Sequence, residues 1–163
     1  MAYAVVVTVS NRAAAGVYAD TTGPLIADAL AQAGHEIGAP VVVPDGDPVE
    51  SALRDAVAAG AHLIVTTGGT GISPTDRTPE ATRRVLDYEV PGLAEQMRAE
   101  GLRKTPMAAL SRSLAGVRGR TLILNLPGSV RGATESLEAV VPVLRHAVDL
   151  LAGQTPHPGR PVN

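Results

Sequence analysis

The sequence predicts an α/β fold, a three-layer αβα sandwich built around a mostly parallel central sheet. Three observations carry this. "YAVVVTV" (3–9) is a β-branched run without polar alternation, as in a strand covered on both faces. Strand and helix patterns alternate through the first 67 residues with short connections, which favours right-handed crossovers between parallel strands. A long amphipathic pattern then starts at Ser129.

Taken in order, the first strand is followed by a loop, "NRAAAGVYADTTG", and then by a helix. Leu25, Ile26, Ala29, Leu30 and Ala33 recur at helical spacing, and Gly34 ends that helix. "GAPVVVPDG" predicts the second strand and a turn at Pro44-Asp45-Gly46. Asp47-Pro48-Val49-Glu50 has the form of a capping box, with Asp47 as cap and proline at the first helical position. Leu53, Ala56 and Val57 continue that helix to Gly60, and "AHLIVTT" is the third strand. Beyond it, Thr78 caps a short helix opened by Pro79, and Pro91–Glu100 forms another, ended by Gly101. Thr105-Pro106 caps a very short helix, and "SRSLAGVRGRTLILNLPG" folds as two antiparallel strands around Arg118-Gly119. In the last helix Pro142 lacks an N–H and is expected to introduce a kink. The expected organisation is a single domain, 1–153, with a polar, proline-rich and flexible tail, 154–163.

Composition narrows the function. The chain has 163 residues, no Phe, no Trp and three tyrosines, so aromatic stacking platforms for bases are absent. A net charge of −2 opposes bulk attraction to nucleic acid, and Lys104 is the only lysine. With no cysteine there is neither a disulfide nor a thiolate metal site. No signal-peptide pattern and no 18-residue apolar run occur, so the expectation is a cytoplasmic protein with no membrane partner. The four histidines are scattered and carry no chemistry.

In sheets of this kind a site lies beyond the carboxyl ends of the strands. Ser10-Asn11-Arg12, Asp45, the segment "TTGGTGISPTDRTPEATRR" (66–84) and Asn125-Leu126-Pro127-Gly128-Ser129 all fall there. Gly68, Gly69 and Gly71 can take positive φ and bring amides close to an anion, with the Thr66, Thr67 and Thr70 hydroxyls beside them. The alternative is a tight surface turn. The segment is neither a P-loop, having no Gly-Lys-Ser/Thr, nor the dinucleotide fingerprint, because Pro74 stands where the third glycine would fall. Asp76 is either a turn residue or, beside a phosphate cradle, a ligand of Mg²⁺, with Asp45 as second carboxylate. Arg12, Arg77 and Arg112 are candidate cations for phosphate oxygens. The start of the last helix, at Ser129, offers a second anion site, so a ligand with two phosphate-bearing parts is expected.

"VSNRAAAGVYAD", "VPDGD", "TTGGTGISPTDRTPEAT", "EVPGLAEQM", "LSRSLAGVRGRTLILNLPGS" and the terminal helix, in this order, resemble the Mog/MoaB family of molybdenum-cofactor biosynthesis proteins. That resemblance implies a molybdopterin-binding αβα domain, a homotrimer, and adenylylation of molybdopterin by Mg·ATP with release of pyrophosphate. It makes Asp76 and Asp45 the acidic residues of the catalysis, and Asp76 is expected to organise Mg²⁺ with Asp45 as its partner. It also implies that Ser10, Arg12, Thr67, Gly68, Gly69, Thr70, Gly71, Thr78, Pro79, Glu80, Ser111, Arg112, Asn125, Pro127, Gly128 and Ser129 surround the substrates. The product would pass to a molybdate-inserting enzyme. The alternative within the resemblance is a MoaB-type binding or carrier protein that does not adenylylate.

Overall fold

The computed structural model describes residues 1–154. The tail expected from 154 onward lies, beyond Gln154, outside the described residues. The chain runs β1 (Ala2–Val9), α1 (Asn11–Ala14), α2 (Thr22–Gln32), β2 (His35–Ile37), β3 (Val41–Val43), α3 (Asp47–Ala58) and β4 (Leu63–Thr67). It continues through α4 (Thr78–Val85), β5 (Tyr88–Glu89), α5 (Pro91–Leu102), a 3-10 helix (Pro106–Leu110), β6 (Ala115–Arg118), β7 (Thr121–Leu126) and α6 (Val130–Leu151). One sheet holds all seven strands in the order β2-β1-β4-β7-β6-β5, with β3 also on β1. β1, β2, β3, β4 and β7 are parallel; β6 runs antiparallel to β7 and β5 antiparallel to β6, so β6 is the reversed strand.

The absence of polar alternation in β1 has a direct structural reason. Ala4 and Val6 point into one core, with Ile26, Leu30, Met97, Leu137 and Leu144. Val5, Val7 and Val9 point into the other, with Val49, Leu53, Ala81 and Val85. Helices α2, α5 and α6 cover the first face and α3 and α4 the second, which is the expected three-layer sandwich.

Several local expectations are corrected. The second strand is two short ones, His35–Ile37 and Val41–Val43, which pair with the first and last thirds of β1 around Gly38-Ala39-Pro40. The loop after β1 opens with a helical turn that Ser10 caps, its hydroxyl accepting from the Ala13 amide at 3.2 Å. Asp47 is not a cap: Gly46, at φ 100°, precedes α3, and the Asp47 side chain is fully exposed. Thr78 does not cap α4 either; Arg77 precedes the helix and Thr78 is its buried first residue. Gly101 lies inside α5, which runs one residue further. Thr105 caps as expected, accepting from the Met107 amide, and Ser129, expected as the start of α6, is its cap, accepting from the Gly132 amide. Pro142 sits inside α6, which runs continuously from Val130 to Leu151.

Candidate active site

The parallel register brings the carboxyl ends of β1, β3, β4 and β7 to one edge of the sheet, and three links tie them together. The Asn11 side chain accepts from the Asp45 amide at 2.9 Å. The Gly68 amide donates to the Leu126 carbonyl at 3.1 Å, and the Thr67 hydroxyl to the Pro127 carbonyl at 2.7 Å. Glycine is required at Gly68, where φ is 103° and a Cβ would strike the Val9 carbonyl. Gly69, at φ 65°, is bracketed by Asp45 Oδ2 and Thr78 Oγ1. Gly71 does not take positive φ, contrary to expectation; a Cβ there would lie 2.9 Å from Asp76 Oδ2. Among the described residues the amides of Gly69, Thr70 and Gly71 have no protein acceptor, so they are free to meet an anion.

Both aspartates stand at this loop. Asp45 Oδ1 accepts from the amides of Gly46 at 2.7 Å and Arg77 at 2.9 Å. Burial pushes its carboxyl above the ordinary carboxylate range; those amides pull it down, and the charges of Asp76 and Glu80 push it up again. Asp76 Oδ2 accepts from the Ser73 amide at 3.0 Å. The hydrogen bond from Arg112 holds the Glu80 carboxyl below its ordinary value. Among the described residues no three His, Cys, Asp or Glu side chains form a metal cage. Magnesium does not need one: it is commonly held by one or two carboxylates, waters and substrate phosphates. The hard oxygens of Asp45 and Asp76, beside those amides, fit it.

Two cavities meet at Gly128. One, of about 330 Å³, is mostly apolar and lined by Thr70, Gly71, Met97, Ser111, Pro127 and Ser129, among others. The other, of about 360 Å³, is polar and lined by Ser10, Tyr18, Asp20, Thr67, Gly68 and Gly69, among others. Both fall in the size range of small-molecule sites. A composite ligand with one part in each cavity would cross the free amides of the glycine loop.

A family profile described as a probable molybdopterin binding domain matches residues 5–146. The chain belongs to that family. It is 40% identical over 152 residues to a molybdopterin adenylyltransferase of Helicobacter pylori, covering 91% of this chain and 86% of the relative. The solved structure of a molybdopterin biosynthesis enzyme MoaB from Thermus thermophilus superposes with a TM-score of 0.88 at 58% identity, over 94% of this chain and 98% of that one. A molybdopterin biosynthesis Mog protein from Mycobacterium ulcerans gives 0.88 at 50% identity, over 93% and 99%.

Within this molybdopterin-binding domain the expected residues divide by position. Thr70, Gly71, Ser111, Pro127, Gly128 and Ser129 line the apolar cavity, and Ser10, Thr67, Gly68 and Gly69 the polar one. Arg12 is exposed on α1 and lines neither. Asn125 is fully buried beneath the loop, donating to the Thr66 and Thr82 hydroxyls at 3.0 Å each, and so supports the site from below. Pro79 and Arg112 line a separate polar cavity behind Ser111, with Arg83 and Arg98. Sequence reasoning missed Arg98 and Glu135 in the apolar cavity and Asp20 in the polar one. Asp20 accepts from the Thr8 hydroxyl and the Gly23 amide ahead of α2. Aspartate three residues before a helical amide was the available signal. Arg98 on α5 and Glu135 on α6 belong to no local motif that marks them.

Proposed function

We propose that this chain is a molybdopterin adenylyltransferase: the terminal phosphate of molybdopterin attacks the α-phosphate of ATP, and pyrophosphate leaves. The observation that carries the reading is the pair of cavities meeting at the free amides of Gly69, Thr70 and Gly71, with Asp45 and Asp76 beside them. The apolar cavity, with Met97 and Ser111, suits the flat pterin, and the polar one suits the nucleotide. The attacking phosphate is already anionic near neutral pH, so no side chain need remove a proton. The chain's work is positioning and charge stabilisation. Loop amides and the first turn of α6 hold phosphate oxygens, while Thr67 and Asn125 keep the loop on its strands. Asp45 and Asp76 would hold Mg²⁺, which when bound neutralises phosphate charge. The reading includes a homotrimer in the cytoplasm that hands its product to a molybdate-inserting enzyme. Exposed apolar side chains such as Met107 and Leu110 support association.

Pyrophosphate release from Mg·ATP, with and without molybdopterin, tests the reaction. Release is expected to require the pterin and to vanish in Asp76→Asn while pterin binding persists. Pterin binding by wild type without release would make the protein a carrier.

A further inference from the structure

Arg112 belongs to the Ser-Arg pair of the resemblance, yet it does not line the apolar cavity; it lines the neighbouring cavity, which Ser111 also borders. Its guanidinium is engaged on all three nitrogens. Nε donates to the Gly71 carbonyl at 2.8 Å, Nη2 to the Asp76 carbonyl at 2.9 Å, and Nη1 to Glu80. The Arg112 amide adds a bond to the Thr70 carbonyl at 2.8 Å. One residue thus joins the glycine limb of the loop, the aspartate that ends it and the first turn of α4. Between these anchors Ile72, Ser73, Pro74 and Thr75 are exposed. Three internal bonds hold that stretch: the Ser73 amide to Asp76 Oδ2, the Asp76 amide to the Ser73 carbonyl, and a hydrogen bond between the Ser73 and Thr75 hydroxyls at 3.3 Å.

We infer that Arg112 is a positioning residue, a clamp that fixes Asp76 against the glycine loop, and not a cation for substrate phosphate. Two physical arguments favour this. Taking Arg112 for a phosphate would strip Glu80 of its hydrogen-bonded cation, although Glu80 Oε2 is already buried without a partner. The planar fork of guanidinium reaches three acceptors at fixed angles, which an ammonium cannot reproduce.

The kinetic part of the test rests on the adenylyltransferase reading; the exchange part does not. Steady-state pyrophosphate release is measured for wild type, Arg112→Ala and Arg112→Lys, each checked for folding by circular dichroism. Displacing Asp76 by an ångström or so is expected to lower kcat by about 100-fold. Both KM values should stay within about threefold of wild type, because uniform substrate binding is untouched. Lysine should not rescue. A KM for pterin or ATP raised about tenfold at near-normal kcat, largely restored by lysine, would make Arg112 a substrate ligand and overturn the clamp. Should Arg112→Ala not fold, Arg112→Lys carries the test alone. Amide hydrogen exchange is measured in parallel on the wild type and the folded variant. The Asp76 and Thr78 amides are expected to exchange at least about tenfold faster in the variant, while the Leu53 amide in α3 keeps its rate. Unchanged exchange at Asp76 and Thr78 refutes the clamp even if wild type releases no pyrophosphate. In that case the failure of the enzyme reading is recorded separately.

Discussion

Gly69 shows how much a single hydrogen atom can decide. Its φ of 65° is the left-handed region, and Asp45 Oδ2 and Thr78 Oγ1 both stand where a Cβ would go. Asp45 cannot easily yield, because the Gly46 and Arg77 amides hold its other oxygen. Thr78 is fully buried. Gly69→Ala should therefore cost about 1–2 kcal/mol from the backbone alone and in addition displace Asp45. Gly119→Ala is the matched control: φ is 57°, and nothing lies within 4 Å of its Cβ position. Urea unfolding should show the backbone cost in both variants, with more in Gly69→Ala, while pyrophosphate release collapses only in Gly69→Ala. Equal turnover in the two would deny Asp45 its place in the chemistry. Both aspartates and the loop glycines were legible in the sequence because short, distinctive spacing carries them. Arg98, Glu135 and Asp20 were not, since what brings them to the cavities is packing between elements distant in the chain.

Helix α6 delivers its amino end to the site, and its register depends on one cap. Ser129 Oγ accepts from the Gly132 amide at 3.0 Å. Ser129→Ala should lower stability by about 1 kcal/mol and Ser129→Gly by only a few tenths, as measured by chemical denaturation. A negligible loss in Ser129→Ala would mean that tertiary packing of Leu137, Val140, Leu144 and Val148, all buried, sets the helix start instead. At this scale the long apolar runs of β1, β4 and β7 and the stripe of α6 could be read directly, because burial on both faces, or on one helical stripe, leaves a strong pattern. The short strands could not. His35–Ile37 and Tyr88–Glu89 contain too few residues for a period and exist because a neighbour's edge accepts them. Caps misled for a related reason. Asp47 and Thr78 have the right chemistry one residue too late, since Gly46 and Arg77 hold the non-helical position.

Across the whole molecule, the site and the buried histidine His35 sit at opposite ends of the sheet. His35 pairs with Ala2 at the start of β1, whereas the loop residues follow the strand carboxyl ends. Only 6% of His35 is exposed and its Nδ1 has no partner. Burial lowers its pKa from the ordinary 6.5; a backbone hydrogen bond with Ala2 works against this, and the nearby Arg145 charge adds to the lowering. The folded state therefore holds the ring neutral, while the unfolded chain takes up a proton near 6.5. Stability from this source is complete above pH 6.5 and declines as the pH falls from there through the lower folded value. The paired carboxylates Glu50, Glu80, Asp87 and Glu135, all held below their ordinary values of 3.8 or 4.5, act in a more acidic window. Urea unfolding at fixed protein concentration should thus show stability declining just below pH 6.5. In His35→Gln that decline should flatten, while the acidic limb below the carboxylate values remains. Because His35 is remote from the loop, the pH profile of kcat should be the same in both proteins. A decline that persists in His35→Gln would assign it to another titrating group, and a shifted kcat profile would mean that the two ends of the sheet are coupled.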